Sequence, residues 1–187
     1  VQWLAALILK VANPGAGAET IIGNALADPE PPLRLIGGVF AVINGLGVWG
    51  LGVIGYRVFG DKGAAWVLQT TPFISMLVFK NSYHVKPESL LLFTAMALVA
   101  LSVLTLKPGL MDRHRGRFAA AFGVVAGFGV ATKITALPIF LLPLFVLSGG
   151  GMGAAFRSVA LYGGWALAAL IVFTLPALGA YDVFFEW

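Results

Sequence analysis

Read as a string of apolar and polar positions, the chain alternates long apolar runs with short polar punctuation. Residues 33–56, 64–79, 89–106, 118–147 and 156–178 are almost wholly apolar. A helix needs about 20 such residues to cross the hydrocarbon core of a bilayer. The run 33–56 therefore reads as a first full span, 64–79 as a short second one containing Pro72, and 89–106 as a third. The run 118–147 is either one long kinked helix or two short helices meeting at Thr132-Lys133. The run 156–178 is the last span. Residues 1–11 are too short to cross and form either the tail of a helix or a segment lying in the interface. Asn13-Pro14-Gly15 ends them, and Asp28-Pro29-Glu30-Pro31-Pro32 is a helix stop and restart.

Composition fixes the environment. Of 187 residues, 59% are hydrophobic and 11% charged, with a mean hydropathy of +0.94. A soluble domain is about half apolar and about a quarter charged. This chain is expected to be an all-α, polytopic membrane bundle of about six spans after a short N-terminal segment. There are no cysteines, which excludes disulfides and thiolate metal sites. The sequence begins at Val1 and stops abruptly at Trp187, so the expectation is a single transmembrane domain over 1–187 that is a piece of a longer protein.

The net charge of +4 lies in the loops and reads as membrane orientation, not as a nucleic-acid surface. Arg57, Lys62, Lys107, Arg113, Arg115, Arg117 and Arg157 stand against Asp61 and Asp112 if 118–147 is a hairpin, and the hairpin is adopted on that ground. These loops would face the cytoplasm. Gly123 and Gly127 form a small-x-x-x-small pair suited to close helix packing. Gly45-Leu46-Gly47-Val48-Trp49-Gly50 has the spacing of a dinucleotide fingerprint. It lacks the preceding strand and the following acid, so it reads as packing glycines in a membrane helix.

The candidate chemistry sits opposite the basic loops. Lys80-Asn81-Ser82-Tyr83-His84-Val85-Lys86-Pro87-Glu88 is a polar island between two apolar runs. Pro87 presets the first turn of the next helix, and Glu88 falls in that turn, near the positive end of the helix dipole. Lys133 reaches the same face from another helix. Glu88 either caps its helix and pairs with Lys86, or binds a hard divalent cation (Mg or Mn) through oxygen. His84 and Lys133 are either interfacial side chains or ligands for an anion, and Lys80 snorkels.

Three stretches carry a family resemblance. Residues 34–65 hold Arg-Leu-Ile-Gly-Gly and then Tyr-Arg-Val-Phe-Gly-Asp-Lys-Gly-Ala-Ala; His84-Val85-Lys86-Pro87-Glu88 precedes an apolar helix; Ala126-Gly127-Phe128-Gly129-Val130-Ala131-Thr132-Lys133 is a glycine-rich helix end. In that order they resemble the integral-membrane glycosyltransferases of the GT-C fold, in the branch of the protein O-mannosyltransferases and lipid A aminoarabinose transferases. The resemblance implies transfer of a sugar from a polyprenyl-phosphate carrier to an acceptor on the outer face of a membrane, expected to be the bacterial cytoplasmic (inner) membrane. It implies donor contacts from His84, Lys86 and Lys133 and a metal contact from Glu88, where the family usually has Asp. The family's acidic base lies in a first outer loop, upstream of anything in this sequence. On that basis the chain alone is expected to be inactive, with its catalytic base unknown.

Two other classes stay open. A secondary transporter also gathers charge in a membrane, but should show an internal repeat and ionisable groups deep in its spans. A non-catalytic polytopic membrane subunit would need neither.

Overall fold

The computed structural model describes residues 2–73, 86–133, 137–138, 141–149 and 151–178. Within them the regular structure is entirely helical. The elements are α1 (Gln2–Ala12), α2 (Ala18–Ala27), α3 (Glu30–Phe59), α4 (Lys62–Thr70), a 3₁₀ turn (Thr71–Phe73), α5 (Pro87–Thr105), α6 (Leu110–Thr132), α7 (Leu141–Ser148) and α8 (Met152–Leu178).

Local chemistry sets the boundaries. Pro31 and Pro32 open α3, where their missing N–H groups cost nothing, and Gly60 closes it at φ +70°. The Asp61 carboxylate accepts from the Ala64 N–H at 2.8 Å and caps α4. Pro87 begins α5, and Gly109, at φ +71°, makes the tight turn into α6.

The expectation of about six spans is corrected. Among the described residues, three helices are long and apolar enough to cross a membrane: Glu30–Phe59, Pro87–Thr105 and Met152–Leu175. The run 64–79 is not one continuous helix. Its helix stops at Thr70, and the 3₁₀ turn through Pro72 follows. The hydroxyls of Thr70 and Thr71 bond back to the Val67 carbonyl, which competes with the helical ladder there. The hairpin reading of 118–147 holds in outline, since α6 ends at Thr132 and Lys133 is extended. Among the described residues of the returning arm, the α-helix is the eight-residue α7. α6 is 23 residues long, but its arginines and glycines keep it out of the set of three.

Packing gives the helix directions. Ile36 and Phe40 share a core with Leu90, and Gly47 lies against Phe93 and Met96, so α3 and α5 run parallel. Thr94 meets Gly129, and Leu98 packs with Phe118, Phe122 and Ala126, so α6 runs back along α5. Gly123 abuts Tyr162 and Trp165, and Gly127 abuts Ala166 and Ala169, so α8 runs parallel to α6. The Gly123/Gly127 pair is thus the α6–α8 seam expected of it. Of the dinucleotide-like glycines, Gly47 packs against side chains while Gly45 and Gly50 face open space.

These directions sort the charges. The C-terminal ends of α3 and α5 and the N-terminal ends of α6 and α8 lie together. They bring Arg57, Lys62, Lys107, Arg113, Arg115, Arg117 and Arg157 to one end of the bundle, with Asp61 and Asp112. The other end holds Arg34, Lys86, Glu88 and Lys133. From Arg115 to Lys133 the rise along α6 is about 27 Å, close to a hydrocarbon thickness of about 30 Å. Large apolar side chains cover the outside, with Trp49, Trp66, Phe145 and Val172 each more than half exposed. Water does not tolerate such a surface, and lipid does. The molecule is an integral-membrane helical arrangement.

Candidate functional site

At the end away from the arginines, two residues singled out from distant stretches meet. Glu88 stands in the first turn of α5, and Lys133 is the residue that caps the C-terminus of α6. Lys133 Nζ donates to Glu88 Oε1 at 2.5 Å. Both side chains are a little over a third exposed, so the pair sits in the rim and not in the core. The floor beneath it is tight. Ser89 and Leu90 are buried, Thr94 donates to the Leu90 carbonyl at 2.9 Å, and Gly129 lies against the Thr94 side chain. α1 closes this end, packing Leu4, Ala5, Ile8 and Leu9 on the Ile36–Phe40–Leu90 core.

The remaining predicted residues divide. Lys86 immediately precedes α5 and is exposed; the ion partner of Glu88 is Lys133, not Lys86. His84, with Lys80 and Tyr83, lies outside the described residues. Glu88 is also expected to contact a divalent cation. Among the described residues no group of three His, Asp or Glu side chains converges, and the Glu88 carboxylate is already held by an ammonium. A hard cation takes six or more oxygens.

Some features escaped the sequence reading. Asn44 is 4% exposed in the middle of α3, a lone amide in an apolar run. The sequence pattern places Arg115 among the cations of a loop. Instead it reaches back to α7, donating to the Leu147 carbonyl at 3.3 Å and to the Gly149 carbonyl. It thereby ties the end of the returning arm to the start of α6. The only hint in sequence is that the arginines of 113–117 are spaced within one helix.

Chemically, Lys133 and Lys86 stand near the N-terminus of α5 at the Glu88–Lys133 end. Helix N-termini and ammonium groups both favour anions. No family model, no curated protein and no solved structure matches the chain. The likeness to the GT-C glycosyltransferases therefore rests on the three quoted stretches alone.

Proposed function

We propose that the chain belongs to a membrane glycosyltransferase that takes a sugar from a polyprenyl-phosphate carrier, and that the Glu88–Lys133 end is where the carrier phosphate docks. The observation that supports this is the meeting of the two motif residues, 45 positions apart in sequence, at one bundle end. The charge asymmetry supports an orientation in which this end faces outward and the arginine end faces the cytoplasm. A bacterial cytoplasmic membrane suits such a donor.

In the proposed reaction the bond between the sugar's anomeric carbon and the phosphate oxygen breaks. The phosphate leaves with added negative charge while the acceptor oxygen bonds to the sugar and gives up its proton. Lys133 and Lys86 stabilise the departing phosphate. Glu88 pairs with the Lys133 ammonium at the rim while no donor is bound. The base that takes the acceptor's proton is not assigned to a residue of this chain. The ion pair lies at helix ends and not mid-span, which favours this reading over a transporter.

The test is binding of a polyprenyl phosphate to the chain in nanodiscs. Charge-assisted contacts are worth about 1.5–3 kcal/mol, so Lys133→Met should weaken binding about tenfold or more. Glu88→Gln removes a competing anion and should tighten binding. Equal affinity in the native chain and Lys133→Met would mean that the pair is a structural clasp of a non-catalytic membrane subunit.

A further inference from the structure

The arginine end carries its own groove, unrelated to the Glu88–Lys133 pair. It lies between the first turns of α6 and α8, with a volume of about 520 Å³, and is lined by Asp112, Arg113, Arg115, Arg157 and Ser158 among others. Three guanidinium groups face one carboxylate. Arg115 is engaged with the Leu147 and Gly149 carbonyls. Arg113 and Arg157 are exposed, and among the described residues neither makes an ion pair. A groove built by two helices is more than a basic loop needs for orientation.

A second groove, of about 580 Å³, continues from it through the shared residues Arg157 and Leu161. It runs along the outer face of α8, over Ala160, Gly164 and Ala168, with Phe156 and Trp165 as walls. Its lining is overwhelmingly apolar. From Arg157 to Ala168 the helix rises about 16 Å, which is about half of a hydrocarbon core of about 30 Å. That is the depth of one leaflet. A free anion needs the first groove and has no use for the second.

We infer that these two grooves form one binding site for an anionic membrane phospholipid, its headgroup phosphate between Arg113 and Arg157 and one acyl chain along α8. Basic pockets between membrane helices are suited to such headgroups. Arg115 serves the site indirectly, by fixing α7 behind it.

The experiment measures lipid retained by the purified chain after extraction from vesicles of phosphatidylglycerol and phosphatidylcholine, read by native mass spectrometry. The native chain should retain phosphatidylglycerol selectively. The double variant Arg113→Gln/Arg157→Gln should lose roughly thirtyfold in that retention, each cation contributing on the order of fivefold near an anionic headgroup. Gly164→Leu fills the apolar groove, and a Cβ there meets no atom within 4 Å, so the fold accommodates it. It should lower retention with the arginines intact. The charge-matched control Lys62→Gln/Lys107→Gln, at the same bundle end but outside the groove, should change little. Three results would overturn the inference: equal loss in the control, which means general surface attraction; retention unaffected by Gly164→Leu; or full competition by inorganic phosphate, which means a free-anion site.

Discussion

The seam between α6 and α8 gives a prediction whose sign changes along one helix. Gly116 and Gly127 both lie in α6. A Cβ at Gly116 would have Leu161 Cδ1 at 3.9 Å as its nearest neighbour, an ordinary contact. A Cβ at Gly127 would overlap the Ala166 carbonyl oxygen and stand 2.8 Å from Ala169 Cβ. The Ala166 oxygen is backbone and cannot swing away, so the two helices must separate locally. Replacing helical Gly by Ala gains about 0.5–1 kcal/mol in backbone entropy. Gly116→Ala should keep that gain. Gly127→Ala should lose it to overpacking, which costs about 1–3 kcal/mol, for a net destabilisation of roughly 0–2.5 kcal/mol. Gly123→Ala should behave like Gly127→Ala, since its Cβ would lie 2.6 Å from the Tyr162 carbonyl. Unfolding in mixed detergent, followed by tryptophan fluorescence, gives the ranking. If Gly127→Ala is as stable as Gly116→Ala, then α6 and α8 do not meet on this face and the parallel arrangement is wrong.

Other outcomes follow from single contacts. Asp61→Ala removes the α4 cap and should cost about 1 kcal/mol in the same unfolding assay, with Asp61→Asn recovering most of it. Single cysteines at positions 115 and 133, labelled in sealed vesicles, should react from opposite sides; labelling from one side would refute the assignment of the two ends.

The long apolar runs were legible because proline and glycine mark their ends. The span expected over 33–56 is the helix Glu30–Phe59, bounded by Pro31-Pro32 and Gly60. That expected over 89–106 is Pro87–Thr105. Hydropathy alone does not tell a continuous helix from an apolar segment interrupted at Pro72 or at Lys133, since both read as greasy. The number of spans was overestimated for that reason. The charge sorting was legible because it depends only on helix direction. The Glu88–Lys133 contact was not, since a lysine can pair with any acid that topology brings to it, and Lys86 was nearer in sequence. The Arg115 clasp was hidden in the same way, because backbone carbonyls at a helix end leave no mark in composition.

That contact changes the physical case for a phosphate. From sequence, the resemblance implies that Lys133 and Lys86 contact the donor phosphate. Glu88 now supplies an anion at 2.5 Å. With both partners more than a third exposed, such a pair is worth about 0–1 kcal/mol. On the proposed reading an arriving phosphate, facing both Lys133 and Lys86, takes the ammonium, and the Glu88 carboxylate turns to water. The pair then holds Lys133 neutralised at the rim in the interval between donors, at little cost to binding. Glu88→Gln separates this from a clasp. It should leave Lys133 unpaired and tighten polyprenyl-phosphate binding, whereas a clasp would show no change in phosphate affinity in either Glu88→Gln or Lys133→Met.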